Sequence, residues 1–187
     1  MKLIFCITGP FCTHRKALLQ LEALSKKHEV VPVLSEMSAM TDTRFGKAGD
    51  LIQKVTALTG HEPVFTIKDA EETVAGGGFD AAIVCPCTGN TLAKIASGIT
   101  DTVVTMAVKG MLRNRKPVVL AVASNDGLAG NLFNLACAME KKCVYLVPLG
   151  QDDAANKPTS LVCDFTKVGE TLEAAVNGVQ IQPVLTE

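Results

Sequence analysis

The chain predicts a three-layer α/β architecture: one open, mostly parallel sheet with helices on both faces. Three observations carry that prediction. Two segments, Ala81-Ala82-Ile83-Val84-Cys85 and Pro117-Val118-Val119-Leu120-Ala121-Val122-Ala123, are continuous apolar runs. That is the pattern of strands covered on both faces, where a half-wet strand would alternate. Helical stripes alternate with such runs along the chain, which requires crossover connections and parallel pairing. Finally, 48% of residues are apolar but only 4% aromatic, with no Trp, so the interior is built from small aliphatic side chains. A chain of 187 residues has the length of one domain with a full core, and a single domain over 1–187 is expected.

Leu3-Ile4-Phe5-Cys6-Ile7-Thr8 reads as the first strand, closed by Gly9-Pro10. Leu18, Leu19, Leu21 and Leu24 give the following stretch a helical stripe, completing a first βα unit. Val30-Val31-Pro32-Val33-Leu34 is a second strand, whose Pro places it at an edge or in an irregular ladder. Residues 35–44 are polar, rich in Ser and Thr, and carry no regular period. A helix is expected over Phe45 to Leu58, ended by Gly60. A short strand, Val64-Phe65-Thr66, and an acidic helix near Asp69 to Val74 come next. Gly76-Gly77-Gly78 forms a hinge into the central strand, which Pro86 is expected to end because it has no N–H for the ladder.

Two helices are predicted after it, over 90–97 and about 102–112, with Thr100 or Asp101 placed to cap the second. The strand at 117–123 ends in Ser124-Asn125-Asp126-Gly127, ahead of a helix from Asn131 to Met139. Val144-Tyr145-Leu146-Val147 is the last strong strand, closed by Pro148 and Gly150. A polar loop over 151–159, a helix over 168–176 and an extended tail, Ile181 to Leu185, complete the chain. There is no internal repeat.

Net charge is −1, so the overall field offers nothing to nucleic acid or to an anionic membrane, and neither is expected as a partner. No apolar run is long enough to span a bilayer, Met1-Lys2 opens nothing like a secretory leader, and a cytoplasmic location is expected. The seven cysteines are odd in number and several lie inside apolar runs, which reads as reduced thiols. Cys85 and Cys87 are not spaced as zinc ligands and no His pair answers them, so no metal site is expected.

In an open parallel sheet, ligands bind outside the carboxyl ends of the strands where strand order reverses. Three polar turns are placed to meet there: Thr8 to Thr13, Thr88 to Thr91, and Ser124 to Gly127. A strand that ends in a polar turn and feeds a helix N-terminus makes an anion site. Thr8, Gly9, Thr13, Thr88, Gly89, Asn90, Thr91, Ser124 and Asn125 are the candidate cofactor- or phosphate-holding residues. Ser35, where the polar stretch after the second strand begins, joins them. Arg44, in the same stretch, is a candidate for a substrate carboxylate, which a planar guanidinium matches. The same residue types also serve as plain caps and turns. His14 reads as a first-turn residue, and Cys12 and Cys87 as inert thiols at turn mouths. No nucleophile–base pair is visible, so no catalytic residue is assigned. The first turn lacks G-x-G-x-x-G and no G-x-x-x-x-G-K-[ST] occurs, which excludes a dinucleotide fingerprint and a P-loop.

The stretch Ile7-Thr8-Gly9, the run Cys85-Pro86-Cys87-Thr88-Gly89-Asn90-Thr91-Leu92-Ala93-Lys94 and Gly98-Ile99-Thr100-Asp101 resemble the homo-oligomeric flavin-containing Cys decarboxylases. Within that superfamily the chain more closely resembles the dipicolinate synthase B-subunit family of spore-forming bacteria. The segments that carry this are Thr43-Arg44-Phe45-Gly46-Lys47-Ala48, Pro86-Cys87-Thr88-Gly89-Asn90-Thr91, Leu112-Arg113-Asn114, Gly150-Gln151-Asp152-Asp153 and Ile181-Gln182-Pro183-Val184-Leu185. The resemblance implies a Rossmann-like, flavoprotein-like domain that binds FMN, or another phosphate-bearing ligand, at the three turns. It implies a trimer-based homo-oligomer. It also implies a role in sporulation with a dipicolinate synthase A subunit, which would carry NAD(P) for oxidation of 2,3-dihydrodipicolinate. The decarboxylases have a His shortly before the central strand, and Ala70 to Phe79 contains none. Their P-x-M-N-x-x-M pattern survives here only as Ala123-Ser124-Asn125-Asp126-Gly127. A stand-alone FMN-dependent decarboxylase or flavin prenyltransferase-like enzyme is therefore the second reading, and a non-catalytic assembly subunit the third.

Overall fold

Five parallel strands form the body of the sheet: β1 (Lys2–Ile7), β2 (Glu29–Leu34), β3 (Ala81–Cys87), β4 (Val118–Ser124) and β5 (Val144–Leu146), in the order β2-β1-β3-β4 with β5 also on β4. The structure, a computed structural model, describes residues 1–186. Leu3 to Ile7 and Ala81 to Cys85 are wholly buried, which is why these strands lack polar alternation. The chain leaves β1 towards β2 on one side and returns to β3 on the other. The carboxyl ends of β1 and β3 therefore flank the point where strand order reverses.

Helices cover both faces. α1 (His14–Ser25) packs against α8 (Val168–Val176) and carries α3 (Ala48–Thr59) outside it. α4 (Ile67–Ala75) packs on α6 (Val103–Arg113), and α5 (Gly89–Ser97) on α7 (Leu132–Met139). Residues 35–44, unassigned from the pattern, contain a short helix, α2 (Glu36–Met40), capped by Ser35, whose hydroxyl accepts from the Ser38 N–H at 3.3 Å.

Several expectations are corrected. Pro86 does not end the central strand: β3 runs through to Cys87. The register shifts between Val84 and Cys87 instead, and the Pro86 carbonyl still accepts from the Thr8 N–H at 3.3 Å. The helix expected from Phe45 begins at Ala48, because residues 43–46 close a turn with Gly46 at φ +152°. The strand at 64–66 shrinks to one bridge, Val33 to Val64, and Thr66 caps α4 by accepting from the Asp69 N–H at 3.1 Å. Thr102, not Thr100 or Asp101, caps α6, in a reciprocal box with Thr105.

The largest departure lies after β5. Two short strands, β6 (Leu149–Gly150) and β7 (Leu161–Cys163), pair antiparallel, and β7 docks antiparallel on the end of β4. β4 is thus forked. Val118 to Leu120 pair with β5, while Ala123 and Ser124 pair with Val162 and Leu161. The tail adds a last rung, with Leu149 donating to Val184 O and the Thr186 N–H donating to Leu149 O, each at 2.8 Å.

Candidate functional site

The fork leaves a cleft of about 730 Å³ at the carboxyl ends of β1, β3 and β4. That is within the volume range of small-molecule and cofactor sites. Of the candidates, Gly9, Thr13, Thr88, Gly89, Asn90, Ser124 and Asn125 line it. All three polar turns therefore meet in one place.

The α5 N-terminus forms one side. Thr88 caps it, accepting from the Thr91 N–H at 3.1 Å, and the Leu92 N–H is taken by the Thr88 carbonyl. The N–H groups of Gly89 and Asn90, the first two of the helix, have no acceptor among the described residues and are donors for a ligand. Gly89 is required by packing: a methyl there would lie 2.6 Å from Ser124 Oγ and 3.0 Å from Asn131 Cγ. Ser124, Asp126 and Asn131 adjoin it in the lining. The Asp126 carboxylate accepts from the Ser124 hydroxyl and from Asn131 Nδ2 at 2.8 Å, and these two bonds hold its pKa below the ordinary carboxylate value.

The remaining candidates lie outside this cleft. Thr8 is 1% exposed, and its hydroxyl is committed to the interior, donating to Pro86 O at 2.8 Å and accepting from the Thr88 N–H at 3.0 Å. It ties the ends of β1 and β3 together and thereby sets where α5 begins. Thr91 bonds to Thr88, and Ser35 caps α2. Arg44 is exposed and stacks on Phe45 at 4.8 Å. Phe45 and Thr43 line a second cleft, of about 670 Å³, between α1 and α3. Cys12 lines both clefts.

Lys16, Asp126, Asn131, Asp152, Lys157 and Ser160 also line the main cleft, and sequence patterns did not single them out as site residues. The last three come from the loop between β6 and β7. There Asp152 accepts from Lys157 Nζ and from Ser160 Oγ, both at 3.0 Å, and its pKa is lowered, the Lys157 bond being the larger cause. The β4–β7 pairing brings this loop to the turns, and two very short strand segments leave little trace in a sequence pattern. Thr159 fixes the loop by donating to Asn125 O at 2.8 Å.

His14 Nε2 donates to Thr8 O at 2.9 Å, and burial pushes its pKa down. Burial also pushes the Cys6 thiol up to about 12 and raises Cys85, Cys87 and Cys163, so these are inert at neutral pH. Among the described residues no three His, Cys, Asp or Glu side chains cluster as metal ligands, and no helix is long and apolar enough to cross a membrane. The cleft is a binding surface of N–H, hydroxyl and amide groups with two lysines, Lys16 and Lys157, and two carboxylates, Asp126 and Asp152, the latter paired with Lys157.

A family model described as Flavoprotein matches residues 1–165. The B subunit of dipicolinate synthase from Bacillus subtilis (strain 168) is 38% identical over 184 residues, covering 98% of this chain and 92% of that protein. The crystal structure of the dipicolinate synthase B subunit from Bacillus halodurans C superposes with a TM-score of 0.91 at 37% identity, over 100% of this chain and 96% of that one. A dodecameric FMN-dependent Ubix-like decarboxylase from Escherichia coli O157:H7 matches with a TM-score of 0.64 at 26% identity, over 79% and 80% of the two chains.

Proposed function

The chain belongs to the flavoprotein family, and from that premise we propose that it works as the B subunit of a dipicolinate synthase. Its task is to complete the site in which 2,3-dihydrodipicolinate is oxidised to dipicolinate during sporulation. The observation that carries this reading is the end-to-end likeness to two dipicolinate synthase B subunits, which includes the tail as well as the turns. The fork of β4, the cleft and the absence of a nucleotide fingerprint agree with it. The nicotinamide cofactor belongs, on this reading, to a partner A subunit.

FMN suits the cleft. Two free N–H groups at the α5 N-terminus and the nearby Lys16 suit a phosphate or ring carbonyls, and the volume of about 730 Å³ admits a ring system. Gly9, Thr13, Thr88, Gly89, Asn90, Ser124 and Asn125 would hold it; the flavin would supply redox chemistry. A homo-oligomer accompanies this proposal, since the FMN-dependent relative is a dodecamer. A decarboxylase acting alone is less well supported, because none of His14, His28 and His61 lines the cleft.

The test joins an absorbance spectrum with a partner assay. The purified chain is titrated with FMN, then mixed with an A subunit, NAD(P) and dihydrodipicolinate. Binding of FMN, and dipicolinate formation only when both subunits are present, is the expected result. Full synthase activity from the A subunit alone, unchanged on adding this chain, would overturn the proposal.

A further inference from the structure

Ser124, Asp126 and Asn131 of the cleft lining belong to a run of side-chain hydrogen bonds with a single direction. Asn134 Nδ2 donates to Asn131 Oδ1 at 3.0 Å, and Asn131 Nδ2 donates to Asp126 Oδ1 at 2.8 Å. The Ser124 hydroxyl donates to that same carboxylate oxygen. An ionised carboxylate has acceptors only, so the direction is fixed at Asp126. With two donors on one oxygen, the carboxyl stays ionised well below neutral pH.

The consequence falls on Ser124. A hydroxyl has one hydrogen and two lone pairs. Its hydrogen is committed to Asp126, and Ser124 lines the cleft, so what it turns to a ligand is an acceptor. Its position is fixed as well. The backbone of Ser124 is paired with Leu161, and Gly89 lies so close to its Oγ that a methyl there would be at 2.6 Å. Beside it, the α5 N-terminus, which begins at Gly89, presents N–H groups. The cleft thus offers a fixed acceptor beside fixed donors.

We infer that Ser124 is a specificity-determining acceptor, its polarity set by Asp126, and that the cleft selects planar heterocycles presenting an N–H donor next to carbonyl acceptors. This rests on the flavin reading above in one respect: the isoalloxazine ring carries such an N–H between two carbonyls. Asp126 is a positioning residue that acts through Ser124. A site built to take an N–H rejects the analogue lacking it, because its own acceptor is then buried unpaired.

The test has two readouts. In the first, aspartate carboxyls carry a carbon-13 label and are titrated by NMR in the wild type and in Ser124→Ala. The Asp126 pKa rises in the variant; an unmoved Asp126 overturns the polarity and with it the proposal, whatever binds. In the second, FMN and 3-methyl-FMN are titrated by fluorescence into wild type, Ser124→Ala and Asp126→Ala. FMN binds the wild type on the order of tenfold more tightly than 3-methyl-FMN, and Ser124→Ala removes most of that preference. Asp126→Ala weakens FMN severalfold although Ser124 keeps its bulk, which a purely steric contact would not produce. Equal binding of both flavins by the wild type overturns the selection and leaves the flavin site standing. Binding of neither overturns both.

Discussion

Replacing Thr8 by Val tests whether one buried hydroxyl sets the geometry of the cleft. The two side chains have nearly the same shape, so packing is kept while a donor and an acceptor are lost. In the native chain that hydroxyl donates to Pro86 O at 2.8 Å and accepts from the Thr88 N–H at 3.0 Å. Pro86 O keeps the Thr8 N–H at 3.3 Å, but the Thr88 N–H loses its acceptor. Two lost bonds at about 1 kcal/mol each, plus the cost of leaving a shielded donor unmade, give about 2–4 kcal/mol. For a chain of this size, at about 2–4 °C per kcal/mol, Tm should fall by about 4–16 °C. Thr8→Ser keeps both bonds and loses one methyl, which costs about 1 kcal/mol. Thermal and urea unfolding followed by circular dichroism, with FMN titration alongside, separates the two variants. FMN affinity should weaken in Thr8→Val, because the start of α5 is no longer anchored. If Val were as stable as Ser, or more so, the hydroxyl would not be the tie that the geometry assigns to it.

Asn90→Ala should weaken FMN while leaving the unfolding free energy from urea titration within about 0.5 kcal/mol of native, since Asn90 is an exposed residue at the cleft mouth; unaltered FMN binding would remove it from the site. Gly89→Ala should lose both stability and binding, by about 1–3 kcal/mol in stability, because the added methyl meets Ser124 and Asn131; a native-like melting curve would show that the wall yields. A thiol reagent at pH 8 should label exposed Cys12 first and leave Cys6, Cys85, Cys87 and Cys163 unmodified in the native state. Mass spectrometry of the labelled peptides reads this, and early labelling of Cys87 would contradict its burial. The Asp126 and Asp152 carboxyls have folded pKa values below ordinary ones. Their contribution is therefore complete above the unfolded value of about 3.9 and disappears as pH falls through the folded values. Urea midpoints should be level above about pH 5 and decline below about pH 4, less steeply in Asp126→Ala than in wild type.

The parallel sheet was legible because its strands are buried on both faces and so carry unbroken apolar runs, as at Ala81 to Cys85. The three turns were legible because each ends such a run in small polar residues. The geometry brings most of them together: Gly9, Thr13, Thr88, Gly89, Asn90, Ser124 and Asn125 share one cleft. The sequence pattern could not show how each side chain is used. Thr8 and Thr88 have the same residue type and the same place after a strand, yet Thr8 is buried and ties β1 to β3, while Thr88 caps α5 and lines the cleft. Pro86 read as a stop because a missing N–H usually ends a ladder; a register shift accommodates it. The loop with Asp152, Lys157 and Ser160 was invisible as part of the site because a long-range pairing, Ala123 and Ser124 with Val162 and Leu161, places it there. No local period reports such a contact.

The fork in β4 also bears on how the protein is made. A ribosome finishes β1 to β4 well before it reaches Leu161. Until then Ala123 and Ser124 have no strand beside them on that side, and the apolar end of β4 is an open edge of the kind that recruits other chains. A nascent chain stopped short of β7 would have most of its sheet but one wall of its cleft missing. The shortest fragment worth expressing must therefore include Cys163, and the rung from Leu149 to Val184 argues for keeping the tail and placing any tag at the other end.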